Sequence, residues 1–108
     1  MAVMVGASIG LAGSASADPL IGSYSAKVTG GNIAPLGAVR PWVFTSCGAD
    51  CTSREVPGDG PSLTREFHRQ GNTWTTTTAD GSETVDADTL VAHSYEPAGS
   101  IDWQLTKS

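Results

Sequence analysis

The side chains in this 108-residue chain whose chemistry extends beyond packing are two histidines, a close pair of cysteines and a patch of carboxylates. His68 and His93 are the only imidazoles, and each is a general-base candidate because imidazole titrates near neutral pH. A small hydrolase built on either would also need a nucleophile and a nearby carboxylate. No serine stands between glycines at a sharp strand-to-helix elbow, so the commonest nucleophile motif is missing. His68 lies in Glu66-x-His68-Arg69 on the wet side of an alternating segment, and a solvent-facing role suits His93 equally well. Asp86-Ala87-Asp88 places two carboxylates on one side of an extended segment, with Asp80 and Glu83 close by. Calcium would need alternating oxygen ligands and a distal glutamate, which this stretch lacks. A glycosidase acid/base pair would need a walled cleft that so short a chain hardly supplies. Turn and cap chemistry accounts for these acids more simply.

Cys47 and Cys51 enclose Gly48-Ala49-Asp50. In an oxidising compartment such a pair most simply forms a disulfide, with Gly48 permitting the bend. The closed loop is small, so the chain-entropy model assigns it only about 2 kcal/mol. Thiol oxidoreductases use a two-residue spacer near a helix start, which differs from the spacer here. A zinc site of Cys47, Cys51, His68 and His93 has enough ligands, but the spacing matches no compact pattern. A structural disulfide is expected, and no metal ion or cofactor is implied.

Trp42, Trp74 and Trp103 raise the possibility of a stacking platform for a sugar or a flat ligand. Each lies in a period-two pattern, and the company of Phe44 and of Ile101 with Leu105 assigns Trp42 and Trp103 to a core. Trp74 is the candidate ligand contact, because its strand companions are threonines. The run Thr75–Thr78 reads as β-branched strand filler, with one face half-buried and the other in water.

These side chains have to be positioned outside the cytoplasm if the start of the chain is a leader. Ala15-Ser16-Ala17, followed by Asp18-Pro19, is the small-x-small triplet that signal peptidase accepts, and residues 1–17 carry no charge. The basic n-region such a leader requires does not precede Lys27 and is expected upstream of Met1. Gly and Ser interrupt the apolar run, which is shorter than the roughly 20 residues that span a bilayer, so no integral membrane span is expected. Cutting 17 residues from 108 leaves a mature domain, 18–108, of 91 residues. That is one small domain with a marginal core. Every charged residue lies in it, so its net charge is −5. With no basic stripe to neutralise phosphates, nucleic acid and anionic membranes are poor partners.

The mature chain alternates at period two between breakers rich in Gly, Pro, Asp and Asn. Extended segments are expected at Tyr24–Thr29, Trp42–Thr45, Ser53–Val56, Leu63–His68, Trp74–Thr78 and Ile101–Leu105. Val85 begins another, and Thr89–Tyr95 continues in β-favouring residues, with room for one helical turn around Asp86–Leu90. Six or seven short strands make an all-β antiparallel meander that must curl into a partly open barrel or a sandwich to bury its aromatic face. A deep ligand cavity would sacrifice the burial that folds so short a chain. Binding is therefore expected at a strand face, an edge, or the loops at 30–40 and 57–61.

Gly22-x-Tyr24, Trp42-x-Phe44 running into Cys47-Gly48-x-x-Cys51, the later Trp74, Asp88-Thr89-Leu90 and Leu105-Thr106-Lys107 together resemble small secreted actinobacterial proteins of mycobacterial type, which are largely uncharacterised. The resemblance implies export and an all-β domain, and brings no catalytic residue. The expected function is a secreted or envelope-associated, non-enzymatic binding module for an envelope or host ligand. The alternative is a small extracytoplasmic hydrolase using His68 or His93 with nearby carboxylates. Intact mass spectrometry of protein from culture fluid should find residues 1–17 removed and both sulfurs oxidised. A retained leader with free thiols would contradict export.

Overall fold

A computed structural model describes residues 19–58 and 64–108. The leader, its cleavage point at Ala17 and Asp18, and the stretch 59–63 lie outside the described residues. Eight strands follow in order: β1 (Gly22–Gly31), β2 (Val39–Gly48), β3 (Cys51–Glu55), β4 (Arg65–Gln70), β5 (Thr73–Thr78), β6 (Gly81–Asp86), β7 (Val91–Glu96) and β8 (Gly99–Lys107). Each pairs antiparallel with its chain neighbour, and β8 returns to pair with β1, so the meander closes into a barrel without a free edge. The closing seam runs from Tyr24 opposite Lys107 through Ala26 opposite Leu105 to Val28 opposite Trp103, with a bulge at Thr29 before Gly30 meets Asp102.

The strand beyond the seven expected comes from a break in Ser82–Leu90. There Leu90 N–H donates to the Asp86 carbonyl at 2.9 Å, a single turn that is not extended into a helix. The Asp86 carboxylate accepts the backbone N–H groups of Thr89 (2.9 Å) and Asp88 (2.8 Å). These bonds, that of Thr89 foremost, hold its pKa below the ordinary carboxylate value. The chain thus reverses between β6 and β7 within four residues, with Leu90 at a φ of +59°.

Alternation along each strand puts one set of side chains in the lumen. At the end that carries the β2–β3, β4–β5 and β6–β7 turns, Phe44, Phe67, Trp74, Val85 and Leu105 are buried together in the barrel core. Their rings meet edge to face, Tyr24 on Phe44 at 5.6 Å and Phe44 on Phe67 at 6.1 Å. Leu20 plugs this end from the segment before β1, and its carbonyl accepts a buried hydrogen bond from Thr52 Oγ1 at 2.7 Å. The Cys47–Cys51 disulfide forms as expected across the β2–β3 hairpin, with the Cα atoms 5.1 Å apart. Gly31, at a φ of +98°, lets β1 approach the backbone of Ser100 where any side chain would collide. Among the described residues, no helix is long and apolar enough to cross a membrane.

The barrel mouth as candidate functional site

The opposite end of the barrel is not filled with hydrocarbon. Arg54 follows Thr52 on the inward side of β3, with Val56 just past the strand's end, and Glu83 precedes Val85 on the inward side of β6. These strands do not pair with each other, so the contact between the two side chains crosses the lumen. Arg54 Nη1 donates to Glu83 Oε1, and Nη2 donates to Oε2 at 3.4 Å, giving a two-pronged ion pair. The arginine is only 5% exposed. Its guanidinium lies 4.5 Å from the centre of the Trp42 ring and 5.6 Å from that of Phe67, so aromatic faces replace part of the lost hydration. Trp42 in turn packs on Trp103 at 4.9 Å, and Trp103 Nε1 donates to Ser94 Oγ at 3.0 Å. Ion pair, tryptophans and serine form one connected layer that divides the packed end from the mouth.

Above this layer is a hollow of about 420 Å³. Val28, Ala34, Pro35, Val56 and Ile101 give it apolar walls, and Arg54, Glu83 and Ser94 give it a polar floor. Its volume falls within the range of roughly 300–1,000 Å³ usual for ligand pockets. Residues 32–38, between β1 and β2, form one wall and are held in place by backbone bonds. Asn32 N–H donates to the Ser100 carbonyl, Gly37 N–H to the Val28 carbonyl and Val28 N–H to the Ala38 carbonyl, at 2.9, 2.9 and 2.8 Å. A second, polar hollow of about 380 Å³ adjoins the first across Glu83 and Glu96, lined by Arg65, Thr76, Thr78, Asp80 and Ser82 among others. The mouth therefore offers an apolar half beside a polar half.

The residues singled out from sequence fall elsewhere. Trp74 is buried in the packed end at 2% exposure, with the Arg69 guanidinium 5.8 Å from its ring centre, so its stacking faces are covered. His68 stands on the outer face beside Glu66, Nε2 to Oε1 at 3.3 Å, and both are well exposed. His93 is also on the outer face and half-exposed, its Nδ1 2.8 Å from Asp102 Oδ1. Strands β5 and β6 separate the two histidines, so the four-ligand set Cys47, Cys51, His68 and His93 does not assemble. Asp86 caps its own turn, and Asp88 accepts a hydrogen bond from Asn72. Of the loops expected to bind, the one at 30–40 does wall the mouth, whereas 57–61 runs partly into residues outside the described set. Arg54 was not singled out from sequence, and Glu83 only as an acid close to Asp86 and Asp88.

Removing one member of the lumen pair takes from the other the charge it is buried against. Arg54→Met or Glu83→Met alone should lower unfolding free energy by about 3–5 kcal/mol, while the two together should recover most of that loss. Urea unfolding of the four proteins measures the cycle, and additive losses would refute the pairing. Compared with known proteins, the chain matches no family model, no curated protein and no solved structure, so its function has to be read from this geometry.

Proposed function

We propose that this chain is a small extracytoplasmic binding module, secreted or held at the cell envelope, that receives a small amphipathic ligand at the barrel mouth and does not transform it. The observation that carries this reading is the hollow above the Arg54–Glu83 layer, apolar on one side and polar on the other. An apolar group seated there sheds water against Val28, Ala34, Val56 and Ile101. A polar headgroup then reaches the threonines and Arg65 of the adjoining hollow. The bridged cysteines are compatible with an oxidising compartment, and the leader-like start and the likeness to small actinobacterial secreted proteins point the same way.

The amphiphilic dye anilinonaphthalene sulfonate is a suitable probe. The native barrel should bind it with a rise in dye fluorescence, and Ala34→Trp, which fills the apolar hollow, should weaken binding at least about tenfold while leaving the dispersed amide spectrum of the fold intact. Failure of the native barrel to bind, or equal binding by the variant, would discard the mouth as the site.

One observation favours a second reading, a hydrolase. His93 contacts Asp102 on one side and stands opposite Thr84 in the β6–β7 register, so hydroxyl, imidazole and carboxylate occupy adjacent strands. Thr84 and His93 share an open hollow of about 370 Å³. If this reading holds, His93→Ala should abolish any turnover of p-nitrophenyl acetate above that of free imidazole, and an unchanged rate would dispose of it.

A further inference from the structure

The disulfide sits at an exposed hairpin tip beside two ionisable side chains of β4. In the β3–β4 register Cys51 lies opposite His68, and Glu66 occupies the next outward position of β4, opposite Ser53. Both cysteine sulfurs and a carboxylate oxygen of Glu66 lie within 4.8 Å of one another. Glu66 Oε1 is in turn 3.3 Å from His68 Nε2. Two sulfurs and a carboxylate thus lie together on the β2–β3–β4 surface, with the His68 imidazole on the far side of the carboxylate.

The frame that holds them does not depend on the sulfur–sulfur bond. β2 and β3 pair from Val43 opposite Glu55 to Ser46 opposite Thr52 before the bridge is reached. The hairpin tip is also latched to β4, whose Arg69 N–H donates to the Asp50 carbonyl at 2.9 Å. The disulfide closes a loop that the hairpin has already closed, so opening it releases little chain entropy.

We propose that the reduced hairpin tip is a zinc site, with Cys47, Cys51, Glu66 and His68 as its four ligands. An external thiol supplies the reducing equivalents. Two molecules of it give up two electrons and two protons, the Cys47–Cys51 bond becomes two thiols, and the reductant leaves as its own disulfide. A zinc ion then displaces one proton from each thiol and binds two thiolates, the Glu66 carboxylate and the neutral His68 ring. Tetrahedral coordination with Zn–S bonds of about 2.3 Å sets the two sulfurs roughly 3.8 Å apart. That separation is reached once the bridge is cleaved and the tip opens, with the His68 ring turning toward the sulfurs. Sulfur-rich coordination selects zinc over calcium or magnesium, which prefer oxygen. Bridge and metal are mutually exclusive, so the tip reports the redox state of its surroundings by holding or releasing an ion. This site is on the outer face at the packed end of the barrel, away from the mouth, and does not rest on the binding reading given above.

Cobalt and zinc titrations of the full chain, with and without a phosphine reductant, test the proposal. The reduced protein should take up one equivalent of cobalt with the near-ultraviolet absorption of thiolate-to-metal charge transfer, zinc should displace it, and the oxidised protein should show neither. Glu66→Gln and His68→Ala should each weaken zinc binding by at least about tenfold, since losing a ligand costs no less than losing the group that orients one. Three results would overturn the proposal: no uptake by the reduced chain, undiminished affinity in both variants, or loss of the barrel's amide dispersion on reduction alone.

Discussion

A guanidinium taken out of water into the lumen of a narrow barrel loses several kcal/mol of hydration, and Arg54, at 5% exposure, is met there by an opposite charge and by aromatic rings. Glu83 supplies the opposite charge across the lumen, and Trp42 and Phe67 cover its flat faces. Much of the remaining interior follows from that arrangement. Below the pair, the inward positions are mostly hydrocarbon or aromatic, with Thr52 bonded to the Leu20 carbonyl among them. Above it, Val28, Val56 and Ile101 line the hollow at the mouth. The pair fixes the distance between β3 and β6, which share no backbone hydrogen bonds, and so sets the bore of the barrel at this level.

This geometry reconciles two demands that conflict in a chain this short. A barrel hollowed along its length would give up the apolar burial that folds it. One filled along its length would have nothing to offer a ligand but its outer face. The polar layer leaves a packed core below and a hollow above. Trp103 belongs to both, since its ring packs on Trp42 while its Nε1 is satisfied by Ser94 in the floor of the mouth.

Much of the scaffold was legible from residue order, because period-two alternation and Gly- or Asn-rich breakers report local chemistry. Gln70-Gly71-Asn72 turns the chain between β4 and β5 as its composition demands, and the cysteines bridge as their spacing suggests. Closure of the barrel was not legible. It depends on β1 meeting β8, a pairing between residues about 80 apart that no local pattern encodes. The site was hidden for a related reason. Arg54 and Glu83 each look like solvated surface charge within their own strands, and only the closed ring brings them together. Trp74 misled in the opposite sense: threonine neighbours suggested a wet face, yet Thr76 is itself buried and the ring beside it is core.

The claim that a cross-lumen ion pair organises this barrel is tested most directly by nuclear magnetic resonance of the Arg54 guanidinium. Held by Glu83 and sandwiched by Trp42 and Phe67, the group should rotate slowly, giving separate Nη proton signals that exchange slowly with solvent and show contacts to both aromatic rings. A single averaged, rapidly exchanging set of signals without ring contacts would place Arg54 in water and contradict the account.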